Sequence, residues 1–228
     1  MQTDNPAHGR APHQLPPGRH GLSRHYVAEH QRIRILDAVA DVVSLVGYAA
    51  MSVEAIVGAA GVSRRTFYDN FKSKEDAFLA AYDKIGGELF DRVRAAYAAS
   101  DSFPTGVVAC LDAFFEFSAS QPQYADMLIV EVLAAGQAAI ERRNAVLRTL
   151  AELLHAGAET VRVGVRPPAL IAETIIGGIY EIVYSRILHG QVSALPDLLP
   201  DVAYSMMLPY LGHDRAADEI SRLATAPS

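Results

Sequence analysis

The stretch from Ser52 to Glu75, SVEAIVGAAGVSRRTFYDNFKSKE, constrains this chain more than any other. Ser52, Ser63 and Ser73 each precede a helix-forming run. A serine there accepts a hydrogen bond from one of the N–H groups that a first helical turn leaves without a partner. Glu54 stands in the first turn after Ser52, where a negative charge meets the positive end of the helix dipole. Gly61 supplies the left-handed residue that ends one helix and lets the next start in a new direction, and Val62 plugs the turn. Asp76 follows Ser73 by three residues, the spacing of a capping box. The pattern predicts a short helix up to Gly61, a second over about 63–70 and a longer one from Ser73. Upstream, Ile35, Val39, Val42 and Val46 recur at three- and four-residue spacings, which predicts a helix over about 23–46 closed by Gly47.

The second short helix carries the chemistry. Phe67 and Phe71 are four residues apart and share a face, so with Val62 they pack inward on the first helix. Arg64, Arg65, Tyr68 and Asp69 then face outward. An arginine fork matches guanine O6 and N7 in a major groove, so Arg64 or Arg65 is the expected base reader. The hydroxyls of Thr66 and Tyr68 suit phosphate oxygens, which fix register rather than sequence. Ser63 and Lys74 stand at helix N-termini, where backbone N–H groups favour an anion, and Lys72 adds charge on the same side. Ser52 and Asp69 complete the expected DNA-facing set. Two short helices of this kind, the second turned into a major groove, make a helix-turn-helix.

Charge follows the same division. Residues 1–75 carry 9 Lys and Arg against 7 Asp and Glu, whereas residues 76–228 carry 11 against 19. The net charge of −6 argues against a nonspecific nucleic-acid coat, and the positive charge needed to meet phosphates lies in the N-terminal third. Residues 1–22 hold Pro6, Pro12, Pro16 and Pro17 and few large apolar side chains, so a disordered arm is expected, with Arg10 and Arg19 within reach of a minor groove.

Helical periodicity continues to the C-terminus. Helices are predicted from Ser73 to about Ala98, then over about 105–119, 124–134, 137–159, 168–189 and 197–211, with a last short one over Ala216–Leu223. No strand alternation competes, and the fold class is all-α: an N-terminal three-helix helix-turn-helix domain over 23–73 and a C-terminal helical ligand-binding and dimerisation domain over 74–228.

The residues of AAGVSRRTFYDNFKSKEDAF, within 33–82, resemble the TetR family of bacterial regulators. Ala60-Gly61-Val62-Ser63, Thr66-Phe67-Tyr68 and Phe71-Lys72-Ser73-Lys74-Glu75 match the family pattern. Three positions depart from it: Arg65 stands where many members have Gly, Val57 where a small Ala is usual, and Asn70 where His or Tyr is common. The resemblance implies that Thr66, Tyr68 and Lys74 contact phosphates and that Arg64 and Arg65 face bases. It also implies a two-fold homodimer built on the last two long helices, here about 168–189 and 197–211, that binds a palindromic double-stranded DNA operator. Gly177-Gly178 would permit close helix approach, and Met206, Met207, Leu208 and Leu211 fit the same interface.

Bodies of this kind enclose a cavity between helices. Phe114, Phe115, Phe117, Tyr124, Met127, Leu128, Tyr180 and Tyr184 are the apolar and aromatic candidates for lining it, which suits a small apolar or aromatic effector. Glu131 and His155 stand among apolar neighbours, either on a wet helix face or as polar anchors for that effector. Cys110, the single cysteine, is expected to be a buried inert thiol.

Phosphate-loop, dinucleotide, nucleophile-elbow and zinc-protease motifs are absent from the sequence, so no enzyme, no cofactor and no metal site are expected. Without a long apolar run or a signal-peptide core, a cytoplasmic protein with no membrane segment is expected. The function these features predict is a ligand-responsive transcriptional repressor. The alternative is a helical ligand carrier or protein-binding module that no longer reads DNA.

Overall fold

Helix boundaries fall where side chains or glycines close the backbone. The computed structural model describes residues 24–161, 167, 168 and 170–225. The expected arm over 1–22, with Arg10 and Arg19, lies outside them. Among the described residues the chain is all-α, and no helix is long and apolar enough to cross a membrane.

The head begins with α1 (Arg24–Ala50), which is interrupted at Gly47. Gly47 has φ 77 and ψ 159, a conformation reserved for glycine, so the regular helix stops there and one further turn leads to Met51. α2 (Val53–Ala60) is capped by Ser52 Oγ, which accepts from the N–H of Ala55, and ends at Gly61 with φ 60 and ψ 38. α3 (Arg64–Asn70) is capped by Ser63 Oγ, which accepts from the N–H of Thr66. α4 (Lys74–Ala98) is capped by Ser73 in the same way, from the N–H of Asp76. The capping box expected there is shifted by one residue. The Asp76 carboxylate accepts from the N–H of Lys72 at 2.9 Å rather than from that of Ser73.

The body follows as α5 (Phe103–Ser120), α6 (Pro122–Ile129), α7 (Gln137–Ala158), α8 (Leu170–Leu188), α9 (Leu199–Leu211) and α10 (His213–Thr225). The single helix expected over 124–134 is two pieces. α6 starts two residues earlier, with Pro122 in its first turn, and gives way after Ile129 to a 3-10 turn over Glu131–Leu133. Ser102 and Thr105 form a full capping box at the start of α5, so Phe103 and Pro104 lie inside that helix rather than in a break before it.

Ile35, Val39, Val43, Ile56 and Phe67 are fully buried in the head. Their core does not stop at Ser73. It continues through Phe78 and Ile85 of α4 into Phe117 of α5, Met127 of α6 and Val132, so the base of the body packs on α1. A second core joins Phe115, Val183, Val202, Ala203 and Met207. Val46, on the last turn before Gly47, is half-exposed rather than part of the apolar face.

α8 is apolar on its inner face and mixed on its outer one, where Glu173, Thr174 and Glu181 are exposed. Ile175, Ile176, Ile179 and Ile187 pack into the second core, while Leu170, Ile182 and Leu188 are exposed. In α9, Met206, Met207 and Leu211 belong to this chain's own core, which corrects their expected place on a dimer seam; Leu208 alone of the four points outward. The cause is α10, which covers α9 from the other side through fully buried Ala216.

Candidate DNA-binding surface and effector cavity

The outer face of α3 is built by burial of its inner face. Phe67 and Phe71 are 0 % and 2 % exposed, with ring centroids 5.7 Å apart, and this holds Arg64, Arg65, Tyr68 and Asp69 out in solvent. Two arginines of α1, which sequence reasoning passed over, position the short helices. Arg34 donates to the carbonyls of Ala60 and Gly61, closing the C-terminus of α2. Arg32 donates to the carbonyl of Asn70 at 3.4 Å and stacks 4.5 Å from the Phe71 ring, closing α3. Cations at these negative helix ends satisfy carbonyls that have no helical partner. Part of the head's positive charge is therefore structural.

The expected DNA-facing residues separate into tied and untied groups. Arg64 pairs with Glu54 across the α2–α3 turn. Arg65 is 91 % exposed and has only a 4.0 Å contact with Asp69. Ser63 and Thr66 share a hydroxyl–hydroxyl hydrogen bond of 2.8 Å. Lys72 is exposed. Ser52 is engaged as a cap, at 3.2 Å from the N–H of Ala55. The Lys74 ammonium donates to the carbonyls of Met51 and Tyr48 at 3.0 and 3.3 Å and lies 4.9 Å from the Tyr48 ring. An ammonium has three donors, so one N–H of Lys74 remains for a phosphate. The neighbouring Glu75 carboxyl is held below its ordinary value, chiefly by a hydrogen bond from Ser73.

The body encloses a cavity of about 490 Å³ between α4, α5, α7 and α8. Of the residues expected to line it, Phe114, Leu128 and Tyr180 do so. The others stand elsewhere. Phe115 and Met127 are fully buried in the two cores. Phe117 is packed in the head-side core with Tyr124 stacked on it at 6.3 Å. Tyr184 stacks on Tyr180 at 6.4 Å from outside the wall. The α5 residues 110, 111 and 114 face the cavity; 115 and 117 are carried past it by the helical rotation of about 100° per residue.

Neither polar candidate is in the cavity. Glu131 accepts from the backbone N–H of Tyr48 at 2.5 Å, so it is a tether between body and head rather than a wet-face or ligand-facing group. His155 lies beyond the last cavity residue of α7, with Nε2 4.0 Å from Glu159 Oε1.

The sequence reading missed most of the wall on α4 and α7. Tyr82, Gly86, Gly87, Phe90 and Val93 come from α4, and Arg142, Arg143, Val146 and Leu150 from α7. Gly87 has nothing within 4 Å of where a Cβ would stand, and at Gly86 the nearest atom is Leu128 Cδ2 at 3.7 Å. Two glycines inside a 25-residue helix are the signal that could have marked this wall.

Polar groups are few. Asp83 and Arg142 pair at 2.9 Å at the rim. Cys110 faces the cavity, its thiol donating to the Val93 carbonyl at 3.4 Å and raised by burial to about 11, which keeps it protonated. Burial likewise pushes the Tyr82 phenol up to about 12. Tyr180 donates to the Ile129 carbonyl at 2.5 Å.

Residues 35–81 match the family model described as bacterial regulatory proteins, tetR family. The match covers the helix-turn-helix head and the first turns of α4. No curated protein sequence matches it. Among solved structures it is similar to the fatty acid degradation regulator FadR from Bacillus halodurans, at 23 % identity and a TM-score of 0.70, covering 81 % of this chain and 96 % of that one. It is also similar to FadR from Bacillus subtilis, solved in complex with stearoyl-CoA, at 22 % identity and a TM-score of 0.67, covering 79 % and 98 %. SmeT, the repressor of the Stenotrophomonas maltophilia multidrug efflux pump SmeDEF, is 14 % identical with a TM-score of 0.66, covering 81 % and 92 %. At these identities the likeness shows that the TetR-type fold extends through the body.

Proposed function

We propose that this chain is a TetR-family transcriptional repressor that binds a palindromic operator as a homodimer and leaves it when an apolar effector enters the body. Residues 23–73 read the DNA and residues 74–228 house the effector and the dimer seam, in the cytoplasm. The observation that carries this reading is the pairing of an exposed Arg65–Tyr68–Lys72 face with a largely apolar cavity of about 490 Å³ in the same chain. That volume lies within the range of small-molecule sites, about 300–1,000 Å³.

Arg65 supplies base contacts, because Arg64 is tied to Glu54 whereas Arg65 extends freely. Ser63, Thr66, Tyr68, Lys72 and Lys74 supply phosphate contacts. The dimer forms on the outward faces of α8 and α9. Leu170, Ile182 and Leu188 are exposed there with Leu208, and Gly177 and Gly178 have nothing within 4 Å of their Cβ positions, so a partner helix can approach the backbone closely. The two recognition helices would then enter major grooves one helical turn apart or slightly more, about 34–36 Å between half-site centres.

α4 carries Lys74 at one end and cavity residues from Tyr82 to Val93 along its length. An effector that favours a different placement of α4 changes the spacing of the two heads. For this to be regulation, the effector must bind the released state more tightly than the DNA-bound one. The stearoyl-CoA bound by the Bacillus subtilis FadR supports a long apolar chain as the occupant here.

The test is a titration of duplexes that carry one or two half-sites, with sedimentation of the free protein. A particle of twice the 24.6 kDa chain mass, and tight binding only to the two-site duplex, is expected. A monomer that binds both duplexes equally contradicts the reading.

A further inference from the structure

The cavity is apolar, yet its wall carries an excess positive charge. Asp83 and Arg142 neutralise each other at the rim. Arg143, one residue further along α7, has no carboxylate within 4 Å among the described residues. Its guanidinium lies with Cζ 3.9 Å from the Tyr180 ring centroid, and one terminal nitrogen donates to Asn144 Oδ1 at 2.9 Å. Its Nε is buried and has no hydrogen-bond partner. Arginine cannot shed its proton to relieve this, because its guanidinium stays charged across the physiological range. A half-desolvated cation with an unmet donor beside an apolar space is unfavourable unless a ligand supplies the counter-charge. Burial raises the phenols of both Tyr82 and Tyr180 on the same wall, and the Arg143 charge offsets only part of that.

Building on the effector reading above, we infer that the occupant is a carboxylate-bearing amphiphile, with an apolar body in the cavity and its carboxylate on Arg143. The guanidinium fork accepts a compact oxyanion in a charge-assisted pair, and its stacking on Tyr180 fixes the plane of the fork. A thioester offers only a neutral carbonyl at that point, so a free acid is favoured over its coenzyme A ester. The apolar part lies against Phe90, Phe114, Val146 and Ile179. Gly86 and Gly87 leave room beside α4 for a chain or ring.

The experiment is calorimetric titration of the full-length protein with three matched C12 probes: dodecanoate, dodecan-1-ol and dodecanoyl-CoA. Dodecanoate is expected to bind the wild type at least about tenfold more tightly than dodecan-1-ol, as a charge-assisted pair out of water implies. R143Q should erase that preference while leaving dodecan-1-ol affinity unchanged, and R143K, which keeps charge without the fork, should retain part of it. Equal affinity of the wild type for acid and alcohol overturns the assignment even if the variants fold poorly. So does a preference that survives in R143Q, or tightest binding by dodecanoyl-CoA with no loss in R143Q; each leaves an apolar effector standing. Binding of none of the three removes the apolar chain as well. Operator binding by the wild type, measured in parallel without probes, reports separately on the regulator itself.

Discussion

The backbone N–H of Tyr48 donates to Glu131 Oε2 at 2.5 Å, joining the end of α1 to the turn that follows α6. The junction is tight. The same carboxylate lies 3.6 Å from the position a Cβ would take on Gly47, and the Tyr48 carbonyl in turn accepts from Lys74 at the start of α4. Two residues before Glu131, Ile129 lines the cavity and takes the Tyr180 hydroxyl. The cavity wall and the DNA-facing head are thus linked through a few directional contacts. Glu131→Ala leaves the Tyr48 N–H without its acceptor and should destabilise the chain by roughly 1–3 kcal/mol, whereas Glu131→Gln, which keeps an acceptor oxygen, should lose less. Thermal melts measure this. If the link transmits the effector signal, Glu131→Ala also needs more effector to leave its operator; an unchanged effector response would exclude this link from the coupling.

Lys72 and Lys74 should behave differently although both belong to the expected phosphate-contacting set. Lys72→Ala removes an exposed charge, so it should reduce the salt slope of operator binding by about 1 and leave the melting temperature unchanged. Lys74→Ala should weaken binding evenly across sequences and also lower the melting temperature, because two carbonyls lose their donor. Binding isotherms at several salt concentrations, with melts alongside, separate the two.

Gly87→Ala should stabilise the chain by about 0.5–1 kcal/mol, the helix-propensity difference, because the new methyl group meets nothing within 4 Å. Gly87→Leu extends a branched side chain into the cavity and should block the effector without touching DNA binding. An operator complex that no effector dissociates is the expected result. Normal release from Gly87→Leu would mean that the effector binds elsewhere.

Asp126 on α6 is raised to about 6 by burial first and by the Glu131 charge second. Its folded value stands above the ordinary 3.8, so the ionised form is penalised in the native state. Stability held below pH 3.8 is lost progressively as pH climbs from there through about 6. Asp126→Asn should therefore raise the melting temperature most at pH 8, by roughly half as much at pH 5, and progressively less as pH falls towards 3.8, within the pH range where the wild type stays folded. An equal gain at both values would rule out the titration as the cause.

The short-range chemistry of the head was legible from the residues. Ser52, Ser63 and Ser73 cap, Gly61 turns, and Phe67 and Phe71 go inward, because each of these depends on neighbours within four positions. The roles of Arg32, Arg34 and Glu131 were not legible, since their partners lie 26 to 83 residues away. The cavity was harder still. Aromatic richness pointed to Phe115, Phe117 and Tyr124, which fill cores, whereas the wall draws on Gly86, Gly87 and the polar run at Arg142-Arg143. What makes a wall is the absence of packing on one side, and that is set by the tertiary placement of α4 and α7 around the cavity rather than by any local pattern.

Selection of bound duplexes from a random-sequence DNA library, at fixed salt and with Arg65→Ala alongside, tests DNA recognition most directly. A two-fold symmetric motif enriched by the wild type and blurred at specific positions by Arg65→Ala, at about 1–3 kcal/mol per lost contact, is the predicted result. No enriched motif, with only weak salt-sensitive binding, would contradict it and leave a helical ligand carrier that no longer reads DNA.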